Sequence, residues 1–284
     1  RNGTKLRIPV QKTLQYPDGT EKTFEFVLRE VSSPENPTPV ENGKFRRASV
    51  TITDGTQDFA FTLNYPPETA AGTYYYRIRE ENGALPGADS GSYVVEVIVT
   101  AADGRVDAKI GSIVKNGSEL AESVSFTNRN VRALTISKTV KRVENCTAKF
   151  EFTIDATVDG APLAGTFACT GVDGVSEVTF TDGRAVIELA DGESVTISDL
   201  PYGTVWTVTE TPAQSFFTEC GRGGETSSGS AIDGTLTADD HVAFVNVGGY
   251  ELPATGSSGE LICIVVGSAL MLGALIGAIR LRRK

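Results

Sequence analysis

The sequence predicts an all-β protein of two tandem β-sandwiches followed by a single C-terminal transmembrane helix. Short segments with alternating apolar and polar residues recur about every ten residues along most of the chain. Asp-Gly, Asn-Gly and Pro residues separate these segments and predict tight turns, since no spaced series of carboxylates makes the Asp-Gly pairs calcium loops. An uncharged apolar run of 19 residues lies near the C-terminus, and no other window keeps a helical period.

The first sandwich is expected over residues 1–130 and the second over residues 131–248, joined near residues 130–133. The predicted strands of the first unit are Lys5–Leu14, Thr23–Arg29, Phe45–Thr53, Gly72–Arg79, Tyr93–Thr100 and Ser123–Asn128. The predicted strands of the second unit are Leu134–Val140, Ala148–Val158, Val175–Phe180, Arg184–Leu189, Ser194–Ile197, Val205–Thr209 and His241–Val247.

Both units follow one plan. Each opens with a strand carrying Lys-Thr and an apolar residue, continues with a Phe-Glu-Phe strand, later has a strand followed by Glu, and closes with an aromatic strand that ends in Asn. The repeated polar residues are Lys12, Glu80 and Asn128 in the first unit and Lys138, Glu210 and Asn246 in the second. Since residues two apart in a strand share a face, each of the six falls on an apolar face. Burying an unpaired lysine or glutamate costs several kcal/mol, so two matching sets indicate a shared purpose.

These motifs resemble the isopeptide-forming domains of Gram-positive pilins and adhesins. The first unit is similar to the streptococcal major-pilin type, and the second to the related Ig-like, Cna-B-like stalk modules. The motifs behind the first resemblance are the Lys12 strand, Thr73–Glu80 and Phe126–Asn128. The motifs behind the second are Ser137–Val140, Leu200–Gly203, Val208–Glu210 and Phe244–Asn246.

The resemblance implies that one lysine and one asparagine in each unit condense spontaneously, with a nearby acid as the catalyst. On this sequence the expected sets are Lys12–Asn128 with Glu80, and Lys138–Asn246 with Glu210. Burial disfavours charge on both the amine and the carboxyl, so the amine becomes a nucleophile. The protonated glutamate is expected to hydrogen-bond the asparagine carbonyl and to transfer protons as ammonia leaves. Each bond forms once, so the chain is not expected to be an enzyme.

Two alternatives for the polar residues remain open from the sequence. Glu30 shares a face with Phe26 and could be the acid of the first unit in place of Glu80. Lys12 and Lys138 could instead extend along an apolar surface and keep their charged ends in water.

The C-terminal segment has three parts. Residues 249–260 form a linker that contains the LPXTG-type pentapeptide Leu252-Pro253-Ala254-Thr255-Gly256, residues 261–279 form the apolar run, and residues 280–284 form a basic cytoplasmic end. As a helix the run is about 28 Å long, close to the thickness of a bilayer core. This tail resembles the sorting signal of Gram-positive surface proteins. The resemblance implies that a sortase cleaves between Thr255 and Gly256 and transfers the threonyl carboxyl to an amine of the peptidoglycan cross-bridge or to a pilin lysine.

Composition narrows the class of protein further. The formal net charge is −10, and the last 28 residues carry +3, so the remainder is strongly acidic and nucleic acid is not an expected partner. The single histidine, His241, removes most His-based triads and metal sites, and we expect no metal and no cofactor. The odd set Cys146, Cys169 and Cys220 leaves open one disulfide with a free thiol or three thiols, while Cys263 lies in the apolar run.

The chain is therefore expected to be the wall-proximal stalk of an exported adhesin or anchoring pilin in a Gram-positive cell wall. Since Arg1 is not a start methionine and no signal segment follows it, a preceding N-terminal region that contacts a host ligand is expected. Two alternatives remain: sandwiches that bind host matrix directly, and a polymerising pilus subunit. The last would favour a Tyr-Pro-Lys acceptor motif, whereas Tyr16-Pro17 is followed by Asp18.

Overall fold

The structure is a computed structural model that describes residues 2–81 and 85–249. Every regular element in these two ranges is a β-strand, so the all-β prediction is confirmed. None of the described residues belongs to a helix long and apolar enough to cross a membrane. The predicted sortase pentapeptide at residues 252–256, the apolar run at 261–279 and the basic end at 280–284 all lie outside the described residues.

Two sheets pack around one core in the first unit. The strands are β1 (Thr4–Gln15), β2 (Lys22–Val31), β3 (Phe45–Ile52), β4 (Gly55–Tyr65), β5 (Gly72–Glu80), β6 (Ser92–Ala102), β7 (Arg105–Lys115), β8 (Glu119–Leu120) and β9 (Val124–Arg129). One sheet has the order β4-β1-β9 and the other β3-β2-β5-β6-β7-β8. Apolar side chains from both sheets, including Ile8, Phe26 and Phe126, form the buried cluster between them.

The second unit repeats the two-sheet arrangement, with seven strands in the sheet of its first strand and five in the other. The strands are β10 (Val131–Lys141), β11 (Lys149–Val158), β12 (Ala161–Pro162), β13 (Gly165–Thr170), β14 (Glu177–Phe180), β15 (Arg184–Ala190), β16 (Ser194–Pro201), β17 (Val205–Glu210), β18 (Phe216–Arg222), β19 (Glu225–Ser228), β20 (Ala231–Thr235) and β21 (Asp240–Gly248). One sheet has the order β14-β13-β16-β10-β21-β18-β19, and the other β12-β11-β17-β20 with β15 also on β11. Phe152, Trp206 and Phe244 lie in the core between the sheets.

The first and last strands of each unit are parallel neighbours, which brings the two ends of the unit together. In the first unit β1 pairs with β9, and Leu14 lies opposite Asn128. In the second unit β10 pairs with β21, and Val140 lies opposite Asn246. Parallel pairing of strands so distant in sequence needs a long crossover, which the intervening strands of each unit supply.

A single residue connects the two units. Asn130 lies between β9 and β10 and is fully buried. Its backbone N–H donates to the carbonyl of Gln15 at 3.0 Å, and its own carbonyl accepts from the N–H of Tyr202 at 2.9 Å. Its side-chain oxygen accepts from the guanidinium of Arg132 at 2.7 Å. Contacts to both units therefore hold the linker in place.

The strands predicted from sequence are all present within a few residues of their observed ends, but several observed strands were not predicted. The longer missed strands are β4, β7, β13, β18 and β20. In β20 the pair Asp233-Gly234 was expected to be a turn, and this expectation was wrong. Gly234 pairs with Trp206, and the guanidinium of Arg222 lies over the Trp206 ring at 4.9 Å. A Cβ at position 234 would meet that guanidinium and ring, so the glycine serves close packing.

The cysteine alternatives are also decided for the described residues. Cys146, Cys169 and Cys220 are free thiols, and the last two are buried. Burial raises the pKa of both buried thiols, so they stay protonated and act as small apolar side chains.

Candidate functional site

Lys12 is fully buried in the C-terminal half of β1. The strand alternates outward polar residues with inward apolar ones, and Lys12 occupies an inward position between Val10 and Leu14. Its Nζ donates to Glu80 Oε2 at 2.7 Å. Glu80 ends β5 in the opposite sheet, and its side chain is only 2% exposed. The alternative in which this lysine keeps its charged end in water is therefore wrong.

Asn128 completes the first site. It is fully buried near the end of β9, and its Nδ2 donates to Glu80 Oε1 at 2.6 Å. Each oxygen of Glu80 thus contacts one of the other two residues, the amine of Lys12 on one side and the amide of Asn128 on the other. The carboxyl is placed to take a proton from one nitrogen and deliver it to the other.

The second unit contains the same constellation. Lys138 Nζ donates to both oxygens of Glu210, at 2.9 and 2.8 Å, and Asn246 Nδ2 donates to Glu210 Oε1 at 2.5 Å. All three residues are at most 1% exposed. Glu210 ends β17 in the opposite sheet, as Glu80 ends β5 in the first unit.

Strand register makes the two sites equivalent. Lys12 lies opposite Phe126, so Asn128 is two residues further along the neighbouring strand on the same face. Lys138 has the same relation to Phe244 and Asn246. The acids match too, because Glu80 pairs with Phe26 and Glu210 pairs with Phe152.

Aromatic rings surround both lysine amines. Lys12 Nζ lies 4.1 Å from the ring centroid of Phe24, and Lys138 Nζ lies 4.3 Å from that of Phe150. One further phenylalanine pair closes each site, Phe26 with Phe126 and Phe152 with Phe244, at centroid distances of 5.2 and 5.0 Å. These rings shield both amines from solvent.

This environment shifts the titration of both lysines. Burial in the apolar core lowers the pKa of Lys12 and of Lys138, and in each case it outweighs the hydrogen bond and charge of the facing glutamate, which act in the opposite direction. A larger fraction of each amine is therefore neutral and nucleophilic than for a lysine in water.

The structure distinguishes the two candidate acids of the first unit. Glu80 contacts Lys12 and Asn128, as described above. Glu30 instead accepts a hydrogen bond from the backbone N–H of Lys44 at 2.9 Å, in the loop between β2 and β3. Its position on the same face as Phe26 does not bring it to the lysine.

Two aspartates near the sites were missed by sequence reasoning. Asp89 accepts the backbone N–H of Thr127 at 2.8 Å, and its own N–H donates to Asn128 Oδ1 at 2.9 Å. Asp191 accepts the backbone N–H of Val140 at 2.7 Å, next to Lys138. The only sequence signal was a nearby glycine, which predicts a turn but does not tell which strand the turn contacts.

Each of the two units matches a known family of domains. Residues 8–130 match the family described as the Spy0128-like isopeptide containing domain. The first unit belongs to this family. Residues 132–247, the second unit, match a family described as a domain of unknown function, DUF7601. The Cna-B-like resemblance of the second unit stays a prediction.

The chain is also similar to individual pilus proteins. The chain is 35% identical over 115 residues to the pilus tip adhesin Cpa of Streptococcus pyogenes, which covers 40% of this chain and 16% of that protein. The solved major pilin of Streptococcus pyogenes is similar at 22% identity, covering 86% of this chain and 99% of that one with a TM-score of 0.38. A solved pilus-presented adhesin, Spy0125 (Cpa), is similar at 21% identity, covering 55% of this chain and 37% of that one with a TM-score of 0.39. The relatives named by these comparisons are a major pilin and a pilus adhesin, and the chain spans a small part of the adhesin's length.

Proposed function

We propose that the chain is a stalk of a Gram-positive surface protein, wall-proximal and anchored by sortase, in which a Lys–Asn isopeptide bond closes each sandwich. One observation carries this proposal: each of the two units buries a glutamate that is hydrogen-bonded to both a buried lysine and a buried asparagine, at equivalent register positions. Three buried polar groups without a reaction would only weaken a core, and the arrangement occurs twice.

The proposed reaction balances within each site. The lone pair of Lys12 Nζ attacks Asn128 Cγ, a C–N bond forms, and the Cγ–Nδ2 bond breaks. Glu80, protonated in the reactive form, gives its proton to the departing nitrogen, which leaves as ammonia, and takes a proton from the attacking amine through Oε2. Lys138, Glu210 and Asn246 react in the same way in the second unit. The order of contacts, amine to carboxyl to amide nitrogen, supports this proton path.

Fixed placement is the main source of the rate. Two groups held in contact react as one molecule, which can remove about 7–11 kcal/mol from a bimolecular barrier. Neither an external catalyst nor a cofactor takes part in the proposed step. A buried, desolvated amine supplies the nucleophile and the buried carboxyl supplies the acid.

The proposed bonds divide the chain into loaded and unloaded parts. Lys12 is in the first strand of its unit and Asn128 in the last, and the same holds for Lys138 and Asn246. Tension along the chain would then pass through the two isopeptide bonds and the short segment of β9 and β10 between them. The rest of each sandwich would carry little force, as suits a stalk.

The tail supplies the proposed attachment. A sortase would cleave between Thr255 and Gly256 and join the threonyl carboxyl to an amine of the peptidoglycan cross-bridge or to a pilin lysine. A host ligand would be contacted by a separate region of the protein, which the stalk holds away from the wall.

The decisive experiment is a mass measurement on the purified full chain. We expect the intact mass to fall short of the residue sum by two ammonia molecules, and a tryptic digest to contain branched peptides joining Lys12 to Asn128 and Lys138 to Asn246. The double variant Asn128→Ala, Asn246→Ala is the matched control and should show its full residue sum. A wild-type mass with no ammonia missing would reject the proposal.

A pilus subunit is the second candidate, favoured by the match of residues 8–130 to a pilin-type family. Wall extracts separate the two candidates. A covalently polymerised ladder that reacts with an antibody to this chain supports a subunit, and a single wall-linked species supports an independent stalk.

A further inference from the structure

The segment from Leu85 to Gly91 folds back onto the strand that carries Asn128. Gly87 forms an antiparallel bridge with Arg129, and its carbonyl accepts the Arg129 N–H at 2.9 Å. Two residues further on, the Asp89 carboxylate accepts the Thr127 N–H at 2.8 Å and the Gly91 N–H at 2.7 Å. We call residues 85–91 the clasp. It covers the edge of β9 that faces away from β1.

The clasp also contacts a reacting atom of the proposed condensation. The Asp89 N–H donates to Asn128 Oδ1 at 2.9 Å. A backbone N–H can only donate, so it fixes the orientation of the amide: Oδ1 faces the clasp and Nδ2 faces Glu80. This differs from the expectation that the glutamate polarises the carbonyl, because Glu80 faces the departing nitrogen instead.

The described part of the second unit offers no equivalent donor. Asn246 Oδ1 is buried and has no hydrogen-bond partner within residues 2–81 and 85–249. The turn that carries Asp191 binds the lysine strand there, through the Val140 N–H and through backbone bonds between Gly192 or Glu193 and Lys138. The two units therefore secure opposite partners of the reaction, the asparagine strand in the first and the lysine strand in the second.

We propose that the backbone N–H of Asp89 is the oxyanion donor of the first unit, held in place by the grip of the clasp on β9. This inference rests on the proposed isopeptide reaction. When Lys12 Nζ attacks Cγ, the π electrons of the carbonyl move onto Oδ1, and the N–H stabilises that charge until the tetrahedral centre expels Nδ2 as ammonia. A fixed donor aimed at developing charge is one of the strongest catalytic devices in proteins.

The charge of Asp89 has the opposite effect, which makes the proposal testable by sign. Its carboxylate favours the charged form of Lys12 and so disfavours the nucleophile. If the carboxylate acts mainly through its charge, removing it should speed the reaction. If it acts mainly by holding the Asp89 N–H against Asn128 Oδ1, removing it should slow the reaction.

The experiment follows bond formation in the full chain during pulse-labelled cell-free synthesis, with branched peptides of each unit quantified over time. Asp89→Ala keeps the backbone N–H but removes the carboxylate that holds the clasp on β9. Complete loss of an oxyanion donor costs on the order of 10²–10³ in rate, so for this displaced donor we expect the Lys12–Asn128 bond to form at least about tenfold more slowly. The Lys138–Asn246 bond of the same molecules is the internal reference and should keep its rate.

A second variant changes the clasp without changing charge. A Cβ on Gly87 would meet the carbonyl oxygen of Arg129 at 2.5 Å, so Gly87→Ala should push the clasp off β9 and slow the same bond. Glu96→Ala is the matched control, because Glu96 also accepts a backbone N–H, from Ser112 at 2.9 Å, but is not part of the clasp. The Lys12–Asn128 bond of this control should form at the wild-type rate.

Folding is separated from chemistry by adding Glu80→Ala, which removes the proposed proton carrier and so prevents the bond. In this bond-free background, we expect Asp89→Ala to change the melting temperature of the first unit only slightly. The slower bond formation in the Asp89→Ala single variant would then not be explained by unfolding. A wild-type or faster Lys12–Asn128 rate in Asp89→Ala and Gly87→Ala, or a rate loss matched by unfolding, would overturn the donor role. Absence of both bonds in the wild-type chain would instead reject the isopeptide proposal itself.

Discussion

Each buried lysine depends on one carboxylate to be tolerated in the core. Lys12 and Lys138 are surrounded by phenylalanine rings, and their only ionic partners among the described residues are Glu80 and Glu210. Removing one member of a buried ion pair leaves an uncompensated charge and destabilises a protein by about 3–5 kcal/mol. The same carboxylate is the proposed proton carrier, so one residue governs both stability and reaction.

Substituting the acid tests both roles. In Glu80→Ala we expect the intact mass to be short of only one ammonia, and the first unit to melt well below its wild-type temperature in calorimetry. Glu210→Ala should do the same to the second unit. Glu30→Ala, the matched control, should keep both bonds, and a missing Lys12–Asn128 bond in that variant would show that the acid was assigned wrongly.

The pH dependence of bond formation follows from counting protons. The reactive form, a neutral amine with a protonated carboxyl, contains as many protons as the ion pair, so pH does not change their ratio. We expect a rate plateau around neutral pH, measured by timed quenching of newly synthesised chains.

The alkaline side of the profile reports the lysine. Because burial lowers the Lys12 pKa, the pair loses its shared proton below the ordinary lysine value of 10.5, and the acid needed for ammonia departure is then gone. The rate should therefore decline before pH 10.5 is reached. A rate that climbs steadily through that range would contradict proton transfer by Glu80.

At the scale of strands, parallel pairing of the first and last strand creates each site. Lys12 and Asn128 both face inward, and it is the pairing of β1 with β9 that places them close together. The Lys12–Asn128 bond would close a loop of about 117 residues, and by the loop-entropy relation used for disulfides a closure of that length is worth on the order of 4–5 kcal/mol.

Asn128→Ala measures the stabilisation that comes from closing this loop. It removes the bond but leaves Lys12 paired with Glu80, so the loss should be smaller than in Glu80→Ala. We expect a denaturant midpoint clearly below that of the wild-type first unit, with hydrogen exchange fastest in β1 and β9. Unchanged stability and exchange would show that the bond has no structural role.

Considered as a whole, the molecule places its two proposed bonds on one line of force. Asn130 alone links β9 to β10, and its hydrogen bonds to both units hold this connection in place between Asn128 and Lys138. A stalk loaded at its two ends would then transmit tension through covalent bonds at every point.

Single-molecule pulling tests this arrangement. The wild-type chain should show no unfolding step of either sandwich. In Asn128→Ala the residues between positions 12 and 128 become extensible, and at about 3.5 Å per residue the first unit should release roughly 400 Å. A wild-type chain that unfolds in the same steps as the variant would contradict the load path.

The sequence by itself determined the strand class, the repeated plan and the inward faces of Lys12, Glu80 and Asn128, because a period of two residues specifies which side chains share a face. The sequence did not predict β20, because an Asp-Gly pair is typical of a turn. The packing of Gly234 against Arg222 and Trp206, which keeps this pair in a strand, is visible only in the structure.

Only the tertiary structure decided which acid faces the lysine and which atom faces the amide oxygen. Glu80 and Glu30 are equally inward by pattern, and the pairing of β5 with β2 brings only the first to Lys12. The clasp contact of Asp89 with Asn128 joins positions 39 residues apart, and the sequence of the clasp does not indicate which strand it contacts. Such choices depend on sheet order and loop path, which arise from packing of the whole unit and not from any local pattern.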